Sequence, residues 1–263
     1  MRAIFSIAST TVGEAVRRRV LLVILLIGLV FLVVAPGLNI LTPRQERTVL
    51  IGLTLGVIQL TSALIAIVLT VYMIPNEIER RTIYTILCKP VQRWQFLVGK
   101  YLGAVAALGL MIGLMSIVLI ITFIIAQQER NPAKIAELVK APFMYFFQMS
   151  LLAAVAILFS TFVTPLVNIF LTSGMYMLGT LFSPFFQTMV ESDGVNQGTK
   201  VLAKIIHFVL PNFSTFNIQN PIINPGQVIA DERAYMMTSI AYALIYIVVL
   251  LVTAALVFDH REV

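Results

Sequence analysis

Residues 20–35, VLLVILLIGLVFLVVA, run without a charge or a hydrogen-bonding side chain. Comparable apolar stretches, each about 20 residues long, recur along the chain. Nothing else in the sequence limits the fold so strongly. Lipid offers no partner to a backbone N–H or C=O, so a segment that crosses it must be a helix or part of a closed barrel. Barrel strands read as alternating segments of about 10 residues, and these runs do not alternate. The sequence predicts an all-α integral membrane protein with six transmembrane helices at 20–40, 49–74, 102–126, 143–164, 166–189 and 236–258. Between the fourth and fifth spans the break falls in TFVTP, at Pro165. A composition of 59% hydrophobic and 11% charged residues fits this class.

The few charges carry the topology. Net charge is +6, but the basic residues cluster at the ends of apolar runs and form no aromatic-interleaved groove, so nucleic acid is excluded as a partner. Residues 1–19, MRAIFSIASTTVGEAVRRR, predict an amphipathic interfacial helix, with Ile4, Phe5, Ile7, Ala8, Val12, Ala15 and Val16 on its apolar side. Arg17, Arg18 and Arg19 abut the first span and place both termini in the cytoplasm of a multi-pass protein of the cell inner (plasma) membrane. The first apolar run is too long for a signal peptide and VVAPG is a poor cleavage site, so it reads as an uncleaved span. Loops 127–142 and 190–235 then lie outside. The second contains VLAKIIHFVLP, too short to span and suited to a re-entrant piece. Cys88 is the only cysteine, so no intrachain disulfide forms.

No Asp, Glu, Lys, Arg or His lies in the core of any predicted span, which argues against a proton- or sodium-coupled carrier. GVNQGTK at 194–200 is one residue short of a P-loop and lacks its strand–loop–helix setting. His207 and His260 are isolated, so no metal site is expected, and no constellation suits an intramembrane enzyme. No catalytic residue is assigned. Work done by this chain needs an outside source of energy.

The densest charged stretch is residues 76–100, NEIERRTIYTILCKPVQRWQFLVGK. Asn76 and Glu79 stand in capping-box spacing, and Lys89 before Pro90 ends the helix they open. Ile78, Thr82, Ile83, Ile86 and Leu87 share one side; Glu77, Arg80, Arg81 and Tyr84 lie mostly on the other. Trp94, Phe96 and Tyr101 predict the headgroup zone, where Lys100 can snorkel. Periodicity alone allows an interfacial helix with a solvated face or a docking helix for a cytosolic partner.

The order E-x-E-x-x-T, TIL-KPV-RW, GKYLG resembles the permease subunits of type-2 ATP-binding-cassette exporters. Glu77, Glu79, Thr82, Leu87, Pro90, Val91, Arg93, Gly99 and Lys100 match that family's pattern; Arg81 and Gln92 depart from it. The resemblance implies one transmembrane permease domain over 1–263, with 75–100 as the coupling segment and 190–235 as an outer segment bearing short re-entrant helices. It implies a second permease subunit, identical or paralogous, and two copies of a cytosolic ATPase that hold ATP and Mg; this chain holds no cofactor. Glu77, Glu79, Arg80, Arg81, Thr82, Tyr84, Pro90 and Arg93 would dock the ATPase. An outer accessory protein is compatible with the long outer segment.

Three spans carry small or polar stripes. Span two has Gly52, Gly56, Gln59, Ala63, Ala66 and Thr70; span five has Asn168, Thr172, Tyr176, Gly179 and Ser183. Span six has Tyr235, Ser239, Tyr242, Tyr246 and Thr253. Helix packing accounts for such stripes. The alternative is that Gln59, Thr70, Asn168, Thr172 and Tyr176 line a passage between two permease halves, one suited to a hydrophobic or amphipathic substrate. Gly109 and Gly113 read as packing. The rival function is mechanical: ATP hydrolysis relayed to an outer-surface partner, with nothing crossing.

Overall fold

The apolar runs fold as long helices. The computed structural model describes residues 2–37, 46–75, 77, 92–127, 132–182, 198, 210–218 and 231–259. In chain order these hold α1 (Arg2–Arg17), α2 (Arg19–Val34), α3 (Glu46–Val71), α4 (Arg93–Gln127), α5 (Pro132–Ser160), α6 (Pro165–Met177) and α7 (Glu232–Asp259). A π turn (Leu178–Phe182) extends α6, and a single 3-10 turn (Ser214–Phe216) precedes α7. No strand occurs among the described residues.

Helices α2, α3, α4, α5 and α7 are long and apolar enough to cross a membrane. The predicted fifth span differs. Thr164 is extended (φ −71°, ψ 154°) and Pro165 opens α6, so the break falls where the TFVTP stretch places it. From there every described residue is helical through the π turn, and residues 183–189 of the predicted span lie outside the described ones.

Two helices run past the predicted membrane boundaries. The 35 residues of α4 begin at Arg93, not at residue 102. At 1.5 Å per residue that is about 52 Å, some 20 Å more than an upright crossing of the hydrocarbon needs, and the turns that start at Arg93 form the foot of α4. Helix α5 likewise starts at Pro132, inside the stretch expected to be an outer loop, and carries Pro142 within it. Hydropathy marks where lipid ends, and a helix has no reason to stop there without a breaker.

Helix α5 is the hub. In its span 72% is buried, against 22% for α7 and 28% for α2, which lie at the periphery with Leu26, Phe31, Val248 and Leu256 exposed. Around α5 pack α3, α4, α6 and α7. Gly28 lets α2 approach: a Cβ there would fall 2.7 Å from Thr61 Cγ2 and 3.0 Å from Met115 Cε. Gly109 meets the Phe146 ring, as packing requires, but Gly113 has nothing within 4 Å.

Helix α1 is present as predicted, but part of its apolar side is taken up by protein. It packs along the foot of α4, with Thr11 and Ala15 buried and Phe5 and Val16 exposed. Gly99 and Gly103, one turn apart in GKYLG, form the seam. A Cβ on Gly103 would lie 2.5 Å from Thr11 Cβ and 2.8 Å from the Ala8 carbonyl oxygen. Small residues four apart allow backbones this close. Arg18 is extended (φ −72°, ψ 109°), which separates α1 from α2.

Candidate functional site

The foot of the molecule carries a buried charge cluster. After α3 ends at Val71 the chain turns, with the Met73 amide donating to the Thr70 carbonyl (3.2 Å) and the Glu77 amide to Ile74 (3.1 Å). This turn brings the Glu77 carboxylate onto the Lys100 ammonium of α4. Glu14 of α1 lies 3.7 Å from the same ammonium, and the Phe96 ring, one turn back on α4, sits with its centroid 5.9 Å away. The Lys100 side chain is only 4% exposed. Burying an ammonium is costly unless it is paired. Here two carboxylates from two other elements supply the pairing, so one lysine ties the end of α3, α1 and α4 together.

Snorkelling by Lys100 is therefore overturned: its charge is held inside by Glu77. Phe96 and Tyr101 are likewise buried rather than set in the headgroup zone, with the Tyr101 hydroxyl donating to the Ser150 carbonyl (3.3 Å). Trp94 alone of the three is exposed. Arg93 donates to the Phe258 and Asp259 carbonyls, 3.2 Å each, at the end of α7. A cation beside the carbonyls near a helix C-terminus is favoured. Among the residues expected to dock an ATPase, Glu77 and Arg93 are thus placed. Glu79, Arg80, Arg81, Thr82, Tyr84 and Pro90 lie outside the described residues, as does the capped helix predicted around them.

The polar residues within the spans sort into two groups. Asn168 and Thr172 are fully buried in the α5–α6 seam. Asn168 Nδ2 donates to the Ala156 carbonyl (3.0 Å), and Asn168 Oδ1 accepts from the Thr172 hydroxyl (2.8 Å). Thr70 is also buried, donating to Ala66 one turn back at 2.6 Å. Gln59 and Tyr176 belong elsewhere. Gln59 Nε2 donates to Gln148 Oε1 (3.3 Å), Gln148 Nε2 donates to the Phe213 carbonyl (3.0 Å), and the Tyr176 hydroxyl faces Gln59 and Thr180.

This amide relay joins α3, α5 and the segment 210–218, which is wedged into the bundle. Phe213 and Phe216 are fully buried, and the Phe213 amide donates to the Gly179 carbonyl (3.1 Å). The Asn212 amide donates to the Tyr242 hydroxyl oxygen (3.0 Å), and the Tyr235 hydroxyl donates to the Thr215 carbonyl (2.8 Å). Tyr235 and Tyr242 of the α7 stripe thus fasten this segment. Lys140 and Glu232, 2.7 Å apart, tie the start of α5 to the start of α7 nearby. Of the predicted re-entrant helices, only the 3-10 turn falls among described residues.

Gln148 escaped the sequence reading. Its signal was a lone amide in PFMYFFQMS: an amide at membrane depth needs hydrogen-bond partners, so it marks a contact between helices.

An all-helical bundle among the described residues, with five helices long and apolar enough to cross a membrane and ion pairs joining elements near both ends, defines a polytopic membrane protein. A family model described as ABC-2 family transporter protein matches residues 5–263, and the chain belongs to that family. No curated protein matches the chain.

Proposed function

We propose that this chain is the membrane permease subunit of an ATP-binding-cassette exporter, six-spanning in the inner membrane, with both termini cytoplasmic. A separate ATPase docks beneath segment 76–91 and drives it, and two permease halves form the working unit. The Glu77–Lys100 pair carries this reading. A lever must be stiff where it joins its load, and Glu77 stands where that segment leaves α3, fixed to the foot of α4 and braced by α1. Membership of the ABC-2 family supports the ATPase, and the lack of ionisable residues in the span cores supports an external source of energy. The cargo is hydrophobic or amphipathic, since the spans offer few polar groups to line a passage. Gln59 and Tyr176 are the pathway residues, where a polar group meets the outer segment.

One observation favours a second reading, in which the subunit relays ATP hydrolysis to an outer-surface partner without transport. Asn168, Thr172 and Thr70 spend hydrogen bonds inside the chain, which leaves few polar groups to line a passage.

Affinity purification in mild detergent tests the proposal. A nucleotide-binding subunit co-elutes with the wild-type chain, and Glu79→Lys reduces that co-elution at least tenfold, because reversed charge across a docked interface costs more than 1.4 kcal/mol. Glu79 is the better probe than Glu77, whose reversal would first break the pair with Lys100. No co-eluting subunit from membranes that contain all cellular ATPases would end this reading.

A further inference from the structure

A cavity of about 860 Å³ lies between the foot of α4 and the last turns of α7. We propose that it holds one molecule of a zwitterionic phospholipid whose headgroup joins a phosphate to a primary ammonium. At its polar end stand Gln92, Arg93, Trp94 and Asp259. Arg93 is fixed there by its bonds to the Phe258 and Asp259 carbonyls, and the Trp94 indole N–H donates to Gln92 Oε1. The remaining wall is apolar, from Val98 on α4 and Val248, Val252 and Ala255 on α7.

Length and charge select the occupant. From Asp259 to Val248 is eleven residues of α7, about 16 Å of rise, close to half the ~30 Å hydrocarbon thickness. The cavity therefore runs from headgroup level to about the bilayer midplane, the depth of one leaflet, with a tryptophan and an arginine where the interface lies. A helix from a second copy would press an apolar surface onto the Arg93 and Asp259 charges at a desolvation cost. A phospholipid has the same order, polar then apolar, over the same length. A purely anionic headgroup would set its charge against Asp259. A zwitterion meets both signs, its phosphate near Arg93 and its ammonium near Asp259. A primary ammonium donates hydrogen bonds to the carboxylate, which a quaternary one cannot do. That this leaflet is the cytoplasmic one rests on the topology proposed above; occupancy of the cavity does not.

Trp94 is the only tryptophan in the chain, so its fluorescence reports the cavity directly. The protein is reconstituted into phosphatidylcholine vesicles containing increasing fractions of chain-brominated phosphatidylethanolamine. Brominated phosphatidylcholine and phosphatidylglycerol are the comparisons. Half-maximal quenching by the ethanolamine lipid is expected at about fivefold lower mole fraction, the ratio for one interfacial charge contact of roughly 1 kcal/mol. Asp259→Asn removes that preference, and Ala255→Phe, which fills the cavity, removes it independently; unchanged circular dichroism and a monodisperse elution peak certify both variants. Identical curves for the three lipids, an ordinary annulus, overturn the proposal. So does stronger quenching by phosphatidylglycerol, an anion site, or no quenching by any lipid, a protein cover. A preserved preference alongside failed ATPase co-elution would remove the ATPase reading and leave this one standing.

Discussion

Lys100→Met lowers the unfolding midpoint of the detergent-solubilised protein by about 6–12 °C, the shift expected for a loss of roughly 3 kcal/mol. Methionine keeps the length and apolar stem of lysine but takes the ammonium away from the Glu77 carboxylate, which is only 14% exposed. Glu14 is 58% exposed and can turn to water, so its share is small. The double variant Glu77→Gln, Lys100→Met recovers at least half of the loss, because the penalty is that of a buried carboxylate deprived of its lysine. Strictly additive losses in the two single variants would show that the two side chains do not act as a pair. In the reconstituted complex, the same Lys100 variant is expected to let ATP turnover continue while transport falls, since the joint between segment and bundle has been loosened.

Gly179→Val dislodges the wedged segment 210–218. A Cβ at Gly179 would lie 2.5 Å from the Pro211 carbonyl oxygen and 2.6 Å from the Phe213 ring. One of those contacts is backbone, so the clash cannot be relieved by turning a side chain. Overpacking of this kind costs about 3 kcal/mol, and the chain can avoid it only by giving up the Phe213–Gly179 bond and the Gln148–Phe213 bond beyond it. Cys88 is the only native cysteine, so Cys88→Ala gives a clean background for a reporter at Ser214. Labelling of Ser214→Cys by a membrane-impermeant maleimide is expected to rise at least tenfold when Gly179→Val is added. An unchanged rate would mean that Gly179 does not hold the segment in place.

How far the sequence revealed this architecture depends on what hydropathy can report. It reports lipid, so α2, α3, α4, α5 and α7 stand out as apolar runs, and Pro165 marks the α5–α6 break because the residue before a proline is pushed out of α geometry and proline is favoured at a helix's first position. Ends set by protein rather than lipid were hidden: Arg93 starts α4 well below the predicted span, and Pro132 starts α5 well before it. Partners were hidden too. Lys100 at the edge of an apolar run looks the same whether it snorkels or is buried, and only the turn that delivers Glu77 decides between them. The Gly99 and Gly103 pair was visible as letters, but its partner, α1, resembled a free amphipathic helix. The stripe on span five could be read as packing or as the lining of a passage, and its described members part ways: Asn168 meets Ala156 of α5 and Thr172 bonds Asn168, while Tyr176 faces Gln59. Period fixes a face, and tertiary packing decides what that face meets.

The most direct test of the central claim is a photo-crosslink from the segment itself. A photoreactive amino acid replaces Tyr84 in the full chain, expressed with its native partners, and the membranes are irradiated. The account predicts a covalent adduct to a nucleotide-binding subunit, formed without ATP and altered in yield when ATP is added. An adduct to an outer-surface protein, or cargo moved by the purified chain on an ion gradient alone, would contradict it.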